Sequence, residues 1–252
     1  AFVAGANIGA EFLSAEDAAR LNALAETPWQ RHFDDRLGVS AIELERYGKK
    51  AEALPVRETL LANKPQHLIE RVNQQAHDPR FGIKMDIPEH LYNQGELYNL
   101  LVSRGTLTAE DRFKINEHMI GTIKLLDNLP FPPELANVPR YASTHHETLT
   151  GTGYPRRLSA EDLSIPERII AIADIFEALT AADRPYKVAK PISEAVDILF
   201  RMAVKGNIDR DVFNLFLGSG VYKKYAQLYL DPAQIDSVDI KRYIQAASEL
   251  PQ

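Results

Sequence analysis

The stretch "TAEDRFKINEHMIGTIKLLDNLPFPP", residues 108–133, decides the fold class. Thr108 followed three positions on by Asp111 is a capping-box pattern. The hydroxyl accepts from an orphan amide of the first turn, and the acid reaches back to the cap. Phe113, Met119, Ile120, Ile123 and Leu126 then recur near the helical period, and Pro130, Pro132 and Pro133 stop the run. The spacing predicts one helix from Thr108 to Pro130. Downstream the pattern stays helical. A second helix is expected over roughly Val138 to Glu147, then "SAED" at 159–162, then an apolar helix from Arg168 to Ala182. Further helices are expected to start near Pro191, Asp209 and Asp231, the last with aspartate as cap and Pro232 in the first helical position. No alternating strand pattern stands out, so the fold class is all-α.

Upstream the chain changes character. "SAED" at 14–17 and "SAIE" at 40–43 each cap a short helix. Between Lys49 and Gly95 no periodicity is sustained, and Pro55, Pro65, Pro79 and Pro88 make a long regular element improbable. This predicts an irregular segment over residues 1–95, an extension packed over a core or an insertion, followed by a helical domain over 96–252.

Composition narrows the chemistry. With no cysteine in 252 residues, disulfides, thiolate metal sites and cysteine nucleophiles are excluded, and any metal must be held by imidazole and carboxylate. A net charge of −6 carries no general basic footprint, which argues against a polymeric nucleic acid but leaves room for a small anion met by a local basic cluster. No apolar run approaches the roughly 18 residues of a membrane span, and no secretory signal opens the sequence, so a cytoplasmic setting is expected.

His118 falls in the first helix of this region, and His145 and His146 close the second. Asp174 stands in the apolar segment beside Ile170, Ile172, Ile175 and Phe176. Aspartate is a poor helix former and is rarely buried without a partner, so a bound cation would explain it. Adjacent helical residues project about 100° apart, which favours His145 and His146 addressing two metals rather than sharing one. The plainer alternatives are a hydrogen-bonded core histidine at 118, and an Asp174 that caps a neighbouring helix or pairs with arginine.

"HHETLTGTGYPRRL" (145–158) and "ERIIAIADIFEALTAADRPYK" (167–187) together resemble the HD-GYP family of metal-dependent phosphohydrolases, whose signature runs His-His-Glu, two residues, Asp-Gly, one residue, Gly-Tyr-Pro. The resemblance extends over roughly residues 96–240 and includes "RGTLTAEDRFKINEH". It implies a helical bundle holding two or three divalent transition metals, iron or manganese foremost, and a cyclic dinucleotide such as cyclic di-GMP as substrate. It also implies His118, His145, His146 and Asp174 as metal ligands and Arg184 and Lys187 as phosphate contacts. Gly151, Gly153, Tyr154 and Pro155 would form the loop beside the site. An acid or base acting directly on the substrate is not assigned. Imidazole and carboxylate suit such metals, an arginine fork and a lysine point charge suit phosphate, and glycine with proline suits a loop of fixed shape.

Two departures qualify the match. The family carries a His-Asp pair on an upstream helix followed closely by glycine and lysine. Here "AHDPRFGIKMD" offers only His77-Asp78, with Pro79 forcing Asp78 out of helical geometry, and reads as coincidence. The sequence also opens at "AFVAGANIGAEF" without methionine, so a stretch of a longer signalling protein is expected, with the His-Asp helix upstream, metal held loosely and little hydrolysis by this stretch alone. Thr150 stands where the family has aspartate; threonine can serve backbone hydrogen bonds but cannot steady a histidine as an anion. The leading expectation is a cyclic-dinucleotide phosphodiesterase in second-messenger signalling. The alternatives are a degenerate domain that binds a nucleotide or a partner such as a diguanylate cyclase domain without hydrolysis, and a plain helical scaffold.

Overall fold

The computed structural model of the chain describes residues 1–9, 12–47, 51–72, 77–181 and 189–248. These fall into two compact units, Ala1–Ala76 with Asp86–Glu117, and His77–Met85 with His118–Gln252.

The first unit holds helices α1 (Phe2–Ile8), α2 (Ala15–Ala25), α3 (Ala41–Leu44), α4 (Glu96–Leu100) and α5 (Ala109–Asn116). The expected caps form. Ser14 accepts from the Asp17 amide at 3.0 Å, Ser40 and Glu43 exchange both capping-box bonds, and so do Thr108 and Asp111. What the sequence reading missed is two antiparallel strand pairs, β1 (Pro28–Arg31) with β2 (Val56–Thr59) and β3 (Leu68–Glu70) with β4 (His90–Asn93). Strands of three or four residues are too short to display alternation. Arg31, only 2% exposed, anchors the first pair by donating to Glu58 at 2.9 Å and Glu52 at 2.8 Å, so its buried charge is compensated.

The second unit is built from α6 (His118–Asp127), α7 (Val138–Ala142), α8 (Ile165–Thr180), α9 (Ile192–Val204), α10 (Arg210–Gly218), α11 (Val221–Tyr229) and α12 (Ile240–Ser248). Glu167 starts α8 by reaching back to accept from the Ser164 amide and hydroxyl, both at 2.7 Å, and Asp209 caps α10 by accepting from the Val212 amide at 2.9 Å. α9 turns Ile192, Ala195, Val196, Leu199 and Ala203 inward at helical spacing. They pack with Ile172 and Phe176 of α8, Val212, Phe213 and Leu217 of α10, and Tyr222 and Ala226 of α11. At about 1.5–3 kcal/mol for each large side chain buried, this core fixes α8, whose flank carries Asp174.

Three expectations are corrected. The helix expected from Thr108 to Pro130 is two, α5 and α6, interrupted at Glu117. The helix expected to reach Glu147 ends at Ala142; the Ser143 amide closes a tighter turn onto the Arg140 carbonyl at 3.2 Å, and the Ser143 and Thr144 hydroxyls add bonds to the same carbonyl at 3.0 and 3.1 Å. Asp231 does cap a turn, but only the short 3₁₀ segment Pro232–Gln234, whose Gln234 side-chain Nε2 donates to the carbonyls of Thr180 and Lys190 at 2.9 and 3.0 Å.

Candidate metal centre

The early end of α7 matters for the site. His145 and His146 lie in the turn that follows, and their rings sit 4.2 Å apart between centroids. His118, the first residue of α6, meets them from the side: its ring is 6.4 Å from His145 and 5.3 Å, edge-on, from His146. One ring nitrogen from each of the three lies within 4.8 Å of the other two, close enough for all to face one cation. The helical projection that separated His145 from His146 onto two metals therefore does not apply. The imidazole that donates Nδ1–H to the Ala142 carbonyl at 3.0 Å is His145, a bond that leaves its Nε2 lone pair for a ligand.

Asp174 projects from α8 with a carboxylate oxygen 3.8 Å from His146 Nδ1. Its side chain is 37% exposed, so it is not the buried carboxylate that its apolar neighbours suggested. Ile170 faces outward with it, at the rim rather than in the core. Burial, together with the nearby His145 and His118, pulls the His146 imidazole down to about 4 despite the opposing pull of Asp174. At neutral pH it is uncharged, the state a metal ligand requires.

The glycine-rich loop closes over the pair. Gly153 passes so near the histidine turn that a β-carbon there would lie 2.5 Å from Glu147 Cα and 2.6 Å from both the His146 oxygen and the Thr148 nitrogen. Only glycine fits. Gly151 takes a left-handed φ of 71°, which turns the chain toward that approach. The Tyr154 amide then donates to the His146 carbonyl at 3.2 Å, and the Tyr154 ring stacks on His146 at 4.7 Å. Burial and the Asp174 charge push the Tyr154 hydroxyl up to about 12, so it remains a donor. Pro155 is fully buried, and its carbonyl accepts from the Lys84 amide at 2.8 Å.

Sequence reasoning missed how this loop is locked. Glu147, 4% exposed, accepts from the Arg156 amide at 2.7 Å and the Leu158 amide at 2.9 Å, tying the histidine turn to the loop exit. Burial raises its pKa, and these amides partly offset the shift. The Arg156 guanidinium in turn bonds the Phe81 carbonyl and the Ser143 hydroxyl, both at 2.9 Å. The glutamate of the His-His-Glu run was the available signal, but its partners lie nine and eleven residues away.

The remaining sequence candidates fall elsewhere. Thr150 joins a ring of hydroxyls with Thr148 at 3.1 Å and Thr152 at 2.9 Å and also bonds Asn207, so it organises the base of the loop. Asp78 caps the 3₁₀ turn Pro79–Phe81 and pairs with Arg80 at 2.9 Å, in the non-helical geometry that Pro79 imposes. Arg184 and Lys187 lie outside the described residues. A second convergence, of Asp35, Glu52 and Glu58 in the first unit, already holds the cations Arg31 and Lys64.

A helical unit that gathers three imidazoles and a carboxylate under a rigid glycine loop has the donor set of a histidine-rich cation site. A family described as HD domain matches residues 55–212, and the chain belongs to that family, in its HD-GYP branch. Among curated proteins it is similar to a 3'3'-cGAMP-specific phosphodiesterase of Vibrio cholerae, 41% identical over 88 residues, which are 35% of this chain and 20% of that protein. It is similar to a cyclic di-GMP phosphodiesterase of Pseudomonas aeruginosa, 29% identical over 62% of this chain and 40% of that protein. A cyclic di-GMP phosphodiesterase of Vibrio cholerae is 33% identical over 67% of this chain and 32% of its own length. The chain thus spans between about a fifth and two fifths of these relatives. Among the described residues no helix is long and apolar enough to cross a membrane.

Proposed function

We propose that the chain is a metal-dependent phosphodiesterase domain whose substrate is a cyclic dinucleotide, cyclic di-GMP or 3'3'-cGAMP. The observation that carries this reading is the convergence of His118, His145 and His146 within 4.8 Å, with Asp174 beside His146 and the Gly-Tyr-Pro loop stacked against it. Similarity to phosphodiesterases named for these two substrates supports the choice. The donors fit a divalent transition metal such as manganese or iron, which when bound would neutralise the phosphodiester and activate water. The three imidazoles converge on one cation position with Asp174 beside His146; a site of two or three cations needs ligands beyond these four.

The chain's own groups have separable tasks. His145, oriented through Ala142, and His146, kept neutral by burial, present lone pairs. Asp174 supplies the anionic donor. Tyr154 keeps its proton and offers it to a phosphate oxygen or to the departing ribose oxygen. Arg184 and Lys187 bind phosphate on this reading, and Glu147 holds the histidine turn to the loop.

The test is hydrolysis of cyclic di-GMP and 3'3'-cGAMP by the purified chain with manganese or iron(II), followed by chromatography of the linear product. Turnover that is lost on chelation and in His146→Ala supports the proposal. Dinucleotide binding without turnover under any of these metals, in this chain and in a version extended upstream, would favour the non-hydrolytic alternative.

A further inference from the structure

One flank of α8 remains uncovered by the core. Between α8, α10 and α11 runs an apolar groove of about 930 Å³, lined by Ile170, Ala173, Asp174, Phe176, Leu215 and Tyr225 among others. Several of its walls are apolar yet open to solvent: Leu215 is 62% exposed and Ile169 45%. Such a surface points to an occupant. The groove is continuous with the candidate metal centre through Asp174, which lines it while its carboxylate lies 3.8 Å from His146. One helical turn further, about 4.5 Å along the axis, Glu177 adds a carboxylate to the same wall. Among the described residues it makes no ion pair or side-chain hydrogen bond. Tyr225 lines the same groove, and its hydroxyl is pushed up by burial and by the Glu177 charge. Phe176 meets Phe216 and Tyr225, which also line the groove, edge-on with centroids 5.1 and 5.9 Å away.

We infer that this groove is a base subsite, in which one purine of the dinucleotide lies against the apolar walls, and that Glu177 makes it prefer guanine. The inference rests on the phosphodiesterase reading, because the phosphate at the metal centre places the base one ribose away. The chemistry of the walls suits a flat, largely apolar ring with one polar edge. Guanine turns N1–H and the 2-amino group outward, two parallel donors that match a carboxylate fork. Adenine turns a ring nitrogen acceptor toward the same carboxylate, leaving two acceptors facing each other without a proton. A site built to accept donors discriminates sharply against the analogue that lacks them. Both proposed substrates contain guanine, and cyclic di-AMP does not.

The experiment uses the full chain loaded with manganese. Equilibrium binding of cyclic di-GMP and cyclic di-AMP is measured by calorimetry for the parent, Leu215→Glu and Glu177→Gln, both changes at exposed positions. In parallel, metal content and cleavage of bis(4-nitrophenyl) phosphate, a diester with no base, report the metal centre alone. Leu215→Glu is expected to weaken cyclic di-GMP binding about tenfold or more, and Glu177→Gln to bring the two dinucleotides to within about a factor of three, with metal content and base-free cleavage unchanged. Parent-like binding in both variants overturns the base subsite, as does a parent that binds neither dinucleotide. If groove variants alter binding while the parent cleaves no diester, the subsite stands and the hydrolytic reading fails. If cleavage is present and the groove variants change nothing, the reverse holds.

Discussion

Gly153→Ala tests the packing that holds the site together. The added β-carbon would sit 2.5 Å from Glu147 Cα, about 0.9 Å inside ordinary contact, which begins near 3.4 Å, and 2.6 Å from two further backbone atoms. No side chain can rotate away, because all three obstacles belong to the main chain of residues 146–148. The loop or the histidine turn must shift. Overpacking costs typically 1–3 kcal/mol, and with backbone on every side the upper end applies, about 3 kcal/mol. At about 2–4 °C per kcal/mol for a protein of this size, the melting transition should fall by roughly 6–12 °C. Far-UV circular dichroism during heating measures it. The same displacement moves His146, so manganese affinity should drop about tenfold or more. A variant that melts within about a degree of the parent and binds manganese equally well would refute the close approach.

Glu147→Ala leaves the Arg156 and Leu158 amides without their acceptor inside the protein, and should destabilise the chain by roughly 2–4 kcal/mol in denaturant titrations; a change below about 0.5 kcal/mol would show the lock to be idle. For the metal-free chain, the His146 imidazole is lowered from 6.5 to about 4, so the unfolded chain takes up that proton first as pH falls. Stability from this group is present above pH 6.5, declines toward pH 4 and then levels off. The difference in denaturation midpoint between the parent and His146→Gln, followed across that window, should carry this slope; parallel profiles would mean His146 titrates normally.

Much of the helical architecture from Thr108 onward was legible because its signals are local. The caps at Thr108 and Asp209 and the spacing of the apolar segment through Ile172 and Phe176 each sit within one helix. The histidines were legible by type and order but not by geometry. Whether His145 and His146 share a ligand position depends on where α7 ends, and the tight turn that ends it at Ala142 leaves no mark in residue spacing. The exposure of Asp174 was misjudged because its neighbours in sequence are apolar, whereas its neighbours in space include a solvent-open groove. Bonds such as Arg156 to Phe81, 75 residues apart, leave no trace in spacing. The strand pairs of the first unit are equally non-local, Pro28 opposite Thr59 and Arg31 opposite Val56.

Metal binding reads the imidazole cluster directly, without assuming any substrate. Manganese titrated calorimetrically into the metal-free parent, His145→Ala and His146→Ala should give a saturable site in the parent, and binding weakened by about two orders of magnitude or lost in each variant, with helical content nearly unchanged. Equal stoichiometry and affinity in all three proteins would contradict the assignment of these histidines as ligands and, with it, the proposed phosphodiesterase chemistry.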